Sequence, residues 1–119
     1  MLRDLKVADY DAILFIGGPG AANYMDDETC HQIAREAVKA DRVLGAICIA
    51  SAILAKAGVL DGKKATVWSS PLDRSTVKIL EENGAIFQKD SVVVDGKIVT
   101  GNGPGAAKEF GEKIVEILN

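Results

Sequence analysis

Two stretches in the first half of the chain are apolar at every position. They are residues 12–16 and residues 43–47. A strand with one face in water would alternate apolar with polar side chains, so these two runs predict strands that are buried on both faces. Such strands are typical of a parallel sheet that is covered by helices.

The segments that follow these two runs have the period of a helix. One helix is predicted from about Glu28 to Lys39, with Asp26 or Asp27 as its cap. Its apolar positions fall on one stripe, which consists of Ile33, Ala34, Ala37 and Val38. A second helix is predicted to follow residue 48 and to end near Gly58, because glycine readily adopts the left-handed conformation that closes a helix.

A third strand and a hairpin are predicted in the second half of the chain. Residues 64–68 predict a shorter strand. Residues 91–94 and 97–100 are rich in β-branched side chains and lie on either side of Asp95-Gly96, a pair that favours a tight turn. The two runs therefore predict an antiparallel hairpin.

Two further helices complete the pattern. One is predicted over residues 71–83, and the side chains that face inward are Val77, Ile79 and Leu80. The other is predicted to begin at Pro104 and to run through Phe110, Ile114, Val115 and Leu118. Strands that alternate with helices predict an α/β fold, a three-layer sandwich, and we expect one domain over residues 1–119.

Composition and charge narrow the classes of function. The formal net charge of -3 and the balance of 14 basic against 17 acidic residues argue against a nucleic-acid or anionic-membrane binder. The first residues resemble neither a signal peptide nor a membrane span, and the two cysteines form no C-x-x-C pair. We therefore expect a cytoplasmic protein. A single histidine and two distant cysteines make no recognisable ligand set, so no metal and no cofactor are predicted.

Cys48 is the strongest candidate for chemistry in the sequence. It lies between the second predicted strand and the helix that follows, so its thiol is expected at the carboxyl edge of the sheet and at the positive end of a helix. Both features favour the thiolate, and small neighbours allow the tight turn of a nucleophile elbow. The alternative is a small buried apolar residue. The backbone amides of Gly18 and Ile49 would form an oxyanion hole beside the thiol, although a purely structural role for the glycines is an equal alternative.

A nucleotide-binding interpretation of the first glycine loop fails in detail. Residues 17–20 do not form G-x-G-x-x-G, Pro19 has no backbone donor, and the second predicted strand ends in a cysteine instead of an acidic residue. A short echo of this loop, Gly18–Ala22, recurs at Gly103–Ala107, and both copies are expected at one edge of the sheet, around Cys48.

No convincing base for the thiol is found in the sequence. His31, the only histidine, is predicted to have a surface or capping role. Cys30 is predicted to be a partly buried helix residue that forms no disulfide with Cys48. Ser70 is expected at the rim of the cleft, and packing is the favoured role of Trp68. The chain therefore offers no complete set of nucleophile, base and orienting group.

Four segments, in this order, resemble the ThiJ/PfpI family, the superfamily of the parkinsonism-associated deglycase and the archaeal intracellular proteases. They are residues 9–20, residues 44–50, residues 57–68 and residues 100–107. The resemblance covers almost the whole chain. It implies a flavodoxin-like α/β sandwich that is usually oligomeric, with Cys48 as the reactive thiol. It also implies that the amides of Gly17, Gly18 and Ile49 form the oxyanion site, and that a loop of Asn102, Gly103 and Pro104 approaches this site.

The chain departs from the family pattern at three places. Ile49 stands where protease-like members have a histidine, and Ser69-Ser70-Pro71 stands where deglycase-like members have one. The strand and helix that carry the family's glutamate have no counterpart, so the fold is expected to be shortened at its N-terminus. An exposed edge strand would result. We therefore expect a homo-oligomer or a complementary N-terminal chain as partner.

Three functions remain open at this stage. Cys48 could attack the carbonyl of a peptide or of a small α-oxoaldehyde, as in a protease-like or amidase-like hydrolase or a glyoxalase- or deglycase-like enzyme. It could instead be oxidised to a sulfinic acid in an oxidative-stress sensor or chaperone-like module. The third possibility is a split or truncated interaction domain without catalysis.

Overall fold

A computed structural model describes residues 6–17 and 23–119 of the chain. Strands and helices alternate through this part of the protein. Their order is β1 (Ala12–Ile16), α1 (Glu28–Lys39), β2 (Val43–Ile47), α2 (Ser51–Lys56), β3 (Lys64–Ala65), α3 (Ser75–Glu82), β4 (Ile86–Phe87), β5 (Val92–Asp95), β6 (Ile98–Gly101) and α4 (Ala107–Leu118).

The central sheet consists of β1, β2, β6 and β5 in that spatial order. β1, β2 and β6 are parallel, and β5 returns antiparallel to β6 as the predicted hairpin. β3 and β4 form a separate parallel pair. Two side chains connect this pair to the hairpin: Asp95 Oδ2 accepts the Lys64 amide at 2.8 Å, and Thr100 Oγ1 accepts the Thr66 amide at 2.9 Å.

Apolar clusters lie on both faces of the sheet. The larger one packs α1, α2 and α3 against one face, and Leu44, Leu54 and Leu80 in it are fully buried. The α4-side cluster packs on the other face and consists of Val43, Ile47, Val99, Phe110 and Ile114. Both faces of β2 are therefore covered, which is why its five residues can all be apolar. The predicted α/β sandwich with a mostly parallel sheet is confirmed. The prediction that β1 is buried on both faces is wrong: Ile13 is buried on one face, whereas Leu14 and Ile16 on the other face are exposed.

The third strand is shorter than predicted. Only Lys64 and Ala65 pair as a strand, whereas the prediction extended to Trp68. Beyond Ala65 the backbone amides bond outside a regular ladder: the Thr66 amide reaches a side-chain oxygen, and the Trp68 amide donates to the Cys48 carbonyl at 3.1 Å. The apolar pattern correctly predicted that residues 65–67 are buried. It did not predict their conformation, because that depends on the groups that accept their backbone hydrogen bonds.

Three other boundaries differ from the prediction. α3 begins at Ser75 instead of residue 71, because Ser70 and Asp73 close a turn through reciprocal backbone bonds. The two residues that link the hairpin strands are Gly96 and Lys97, one position later than predicted, since Asp95 still pairs with Ile98. β4 was not predicted at all. It has two residues, too few to show a periodic pattern.

Two amphipathic predictions were wrong in part. Val38, predicted on the buried stripe of α1, is 43% exposed. Ile79 is only half-buried, whereas Val77 and Leu80 are buried as expected. No helix within residues 6–17 and 23–119 is long and apolar enough to span a membrane.

Candidate functional site

The connection between β2 and α2 has a strained backbone at Cys48. The φ angle of Cys48 is 65°, in the left-handed region that favours glycine. A non-glycine residue persists there only where its surroundings hold it, and such strain is concentrated at functional sites. A cysteine in this conformation at the end of a central strand has the geometry of a nucleophile elbow.

Gly17 packs directly against this elbow. A Cβ atom at Gly17 would lie 2.5 Å from the Ile47 oxygen and 3.0 Å from the Ala50 nitrogen, so only glycine fits there. The Gly17 amide donates to the Ile47 carbonyl at 3.1 Å. This amide is therefore already used, and Gly17 supports the elbow as a close backbone neighbour instead of as an oxyanion donor.

Gly17→Ala is expected to lower the free energy of unfolding by about 1–3 kcal/mol, because the methyl group collides with backbone atoms that cannot rotate away. Urea unfolding followed by circular dichroism measures this loss. Gly111→Ala is the matched control, since a Cβ atom at that position meets nothing within 4 Å. Equal stability of the two variants would show that the elbow does not require the close approach of Gly17.

Of the other two proposed oxyanion donors, Gly18 and Ile49, the structure describes only Ile49. Gly18 lies outside the described residues. Ile49 is the second residue of the short 3-10 turn that leads into α2. Amides at the start of a helical segment lack acceptors within the helix, so the Ile49 amide has the position that an oxyanion donor needs. Its role remains a prediction.

The thiol of Cys48 is half-buried and packs against the α4-side cluster. Burial raises the pKa of this thiol, and no charged group among the described residues offsets the effect. The prediction of a thiolate favoured by the helix end is therefore wrong for the described part of the chain. The physical reason is that apolar contacts disfavour the charged form more than one short helical segment favours it.

The residues predicted at the rim of the cleft divide into two groups. Ser70 and Asn102 line a cavity of about 350 Å³. Gly103 is buried next to Trp68, whose ring would be 3.8 Å from a Cβ atom at Gly103, and Pro104 is exposed. Cys48, Gly103 and Pro104 are not among the described lining residues of the cavity. The hydrogen bond from Trp68 to the Cys48 carbonyl fixes the start of the loop that carries Ser70.

Of the two roles predicted for His31, surface or capping, the surface role is wrong. It is only 7% exposed, and its Nε2 atom lies 2.5 Å from the Met25 carbonyl oxygen. The ring fastens the turn before α1 to the helix. Cys30 is also more deeply buried than predicted, at 3% exposed, and both cysteines are free.

Ser51 was missed by the sequence analysis. Its hydroxyl oxygen is fully buried, three positions after Cys48, and has no hydrogen-bond partner within residues 6–17 and 23–119. A buried hydroxyl normally has a partner. The signal in the sequence was one hydroxyl side chain in the otherwise apolar run of residues 49–55.

The described residues supply a thiol without a base beside it. The nearest polar side chain along the chain is Ser51, which is neutral. The single histidine, His31, is hydrogen-bonded to the Met25 carbonyl. No group of three or more His, Cys, Asp or Glu side chains in the described ranges could hold a metal ion. The arrangement can therefore present a thiol to a carbonyl carbon, and the described residues do not supply the group that deprotonates it.

Comparison with known proteins shows what the chain is similar to. The sequence pattern of the DJ-1/PfpI family matches residues 1–117. An uncharacterized protein of Methanocaldococcus jannaschii is 35% identical over 118 residues, which are 98% of this chain and 56% of that protein. The glutathione-independent glyoxalase DJR-1.2 of Caenorhabditis elegans is 32% identical over 117 residues, which are 98% of this chain and 60% of that protein.

A solved structure agrees with these sequence matches. The crystal structure of a ThiJ/PfpI domain protein from Brachyspira murdochii has a TM-score of 0.93 and 27% sequence identity, and the match covers 100% of this chain and 66% of that one. The chain thus spans a little over half the length of the two curated relatives.

Proposed function

Because the chain belongs to the DJ-1/PfpI family, we propose that Cys48 is the nucleophile of a thiol enzyme that acts on a small carbonyl compound. The substrate class that we favour is an α-oxoaldehyde such as methylglyoxal, since one relative is a glutathione-independent glyoxalase. The observation that carries the proposal is the left-handed φ of Cys48 at the end of a fully buried strand. A cysteine that only filled space would not require this strain.

The first step would be addition of the thiol to the aldehyde. A carbon–sulfur bond forms, the carbonyl π bond breaks, and the thiol proton ends on the former carbonyl oxygen, which gives a hemithioacetal. The overall conversion of methylglyoxal and water to lactate needs no external oxidant or reductant. Backbone amides around the elbow, that of Ile49 among them, would stabilise the oxygen while it carries negative charge.

The described residues include no base that would deprotonate the thiol of Cys48. Burial raises the pKa of Cys48, so only a small thiolate fraction exists at neutral pH unless another group stabilises it. The rate of methylglyoxal consumption is therefore expected to rise with pH through the alkaline range. A rate that already reaches its plateau at neutral pH would show that a further group lowers the pKa. No consumption at any pH would overturn the proposed activity.

Two other roles of Cys48, in a hydrolase or in an oxidative-stress sensor, can be tested with the same purified protein. A protease-like or amidase-like hydrolase would need a base, and Ile49 occupies the position next to the cysteine. An oxidative-stress sensor would gain two oxygens on Cys48 under mild peroxide, a change visible by mass spectrometry, without consuming any carbonyl substrate. A chain with neither activity would be a non-catalytic interaction domain.

The exposed side of β1 favours association with another strand. Within the described residues β1 is the edge of the central sheet, and Leu14 and Ile16 on it are 43% and 69% exposed. Unpaired edge strands with apolar side chains readily pair with another chain. A second copy or a complementary N-terminal segment would cover this edge. Light scattering of the purified chain, compared with Ile16→Lys, distinguishes a self-associating edge from a monomer.

We also infer a cytoplasmic location from the absence of a disulfide framework.

A further inference from the structure

The cavity next to β3 and β4 is a second candidate site, separate from the thiol. It lies where the chain leaves these two strands and β6, at the carboxyl edge where ligands of open α/β sheets collect. Its volume of about 350 Å³ is sufficient for a small metabolite. The polar and aromatic side chains of its lining are Thr66, Ser69, Ser70, Arg74, Phe87, Lys89 and Asn102.

The charge of the lining is entirely positive. Arg74 and Lys89 line the cavity, and no described carboxylate does. The two nearest acidic neighbours in sequence are Asp73 and Asp90. The Asp73 carboxylate is hydrogen-bonded to the start of α3 and does not line the cavity: its Oδ1 atom accepts the Ser75 amide at 3.1 Å and the Ser75 hydroxyl at 2.6 Å. Two cations without a carboxylate in the wall favour an anionic occupant.

Neutral donors and an aromatic wall complete the site. The Arg74 guanidinium lies 5.6 Å from the centroid of the Phe87 ring, which restrains its position over the ring. The Ser70 oxygen accepts the Asp73 amide at 3.0 Å, so its hydroxyl proton is left to donate elsewhere. Asn102 adds an amide group to the same wall. A fork of guanidinium donors together with hydroxyl and amide donors matches the oxygens of a carboxylate or a phosphate.

We propose that this cavity binds the carboxylate or phosphate group of a small molecule through Arg74, Lys89 and Ser70. Cys48 does not line the cavity, so occupancy does not depend on the thiol chemistry. The two claims are separated by testing the cavity in Cys48→Ser protein, in which the proposed reaction is absent.

The experiment is a titration of ¹⁵N-labelled Cys48→Ser protein with inorganic phosphate and, separately, with acetate, at constant ionic strength. The expected result is a saturable shift of the amide signals of Ser70, Arg74 and Asn102. Arg74→Gln is expected to weaken binding about tenfold, because a charge-assisted hydrogen bond is lost. Lys78→Gln, which removes the same charge from the exposed side of α3, is the control and should bind as before.

The outcomes distinguish the sources of the anionic group and can overturn the proposal. Tighter binding of phosphate indicates a phosphate ester, and tighter binding of acetate indicates an organic acid. The absence of a saturable shift with both anions overturns the proposal. Binding that is equally strong in Arg74→Gln, Lys89→Gln and Lys78→Gln overturns it as well, because the attraction would then be non-specific.

Discussion

Cys48→Ser is expected to abolish methylglyoxal consumption and to leave the far-ultraviolet circular dichroism unchanged. A serine hydroxyl is close in size to the thiol and fits the half-buried position, so the fold is retained. It is a far weaker nucleophile without an activating base, and the described residues place no base beside it. The measurement is the loss of methylglyoxal with time at alkaline pH, where the wild-type thiol is most reactive.

Cys30→Ser is the matched control for this experiment. It removes the other free cysteine, which is buried in α1 at 3% exposed. Activity that survives in Cys30→Ser and is lost in Cys48→Ser assigns the reaction to the elbow. Equal consumption by Cys48→Ser and the wild type would mean that other groups scavenge the aldehyde, and the proposed enzyme would be excluded.

Phe110→Ala is expected to lower the free energy of unfolding by about 3–5 kcal/mol, because a buried aromatic ring is lost and a cavity remains. Phe110 is 4% exposed and belongs to the α4-side cluster, against which Cys48 packs. Water that enters the space left by the ring would reduce the desolvation that raises the pKa of Cys48. The alkylation rate of Cys48 at neutral pH is therefore expected to increase.

Leu80→Ala separates this local effect from general loosening of the fold. Leu80 is fully buried in the larger cluster on the other face, and its removal is expected to cost about 2–5 kcal/mol without hydrating the thiol. Urea unfolding gives the stability of both variants, and mass spectrometry gives the alkylation rate. Equally accelerated alkylation in the two variants would show that unfolding, and not local burial, controls the reactivity of Cys48.

The pKa of Cys48 also has a consequence for stability at high pH. The thiol titrates at a higher pH in the folded chain than in the unfolded chain. Its contribution to stability is complete below the pKa of the unfolded chain and is lost as pH rises through the folded pKa. Deprotonation of Cys48 is thus coupled to a loss of stability of the folded chain.

The sequence by itself determined the architecture and the place of the thiol. Residues 12–16 and 43–47 are apolar throughout, and β1 and β2 begin and end at the predicted residues. Burial on both faces was predicted correctly for β2 only, since Leu14 and Ile16 of β1 are exposed. α1 was also predicted with its observed ends, because its cap and its apolar stripe are local properties. The turn at Cys48 follows from its place between a strand and a helix.

Only the tertiary structure decided what surrounds the thiol. The surroundings of Cys48 come from segments that are distant in sequence. The Gly17 amide bonds to the Ile47 carbonyl beside the strained φ of Cys48, and the thiol packs against the α4-side cluster. The cavity that joins Arg74, Lys89 and Asn102 is likewise formed by distant segments. The spacing of apolar residues within an element predicts which of its sides is buried, but it does not predict which other segment packs against that side. The acidity of Cys48 depends on that partner, so the sequence prediction of a lowered pKa had the wrong sign.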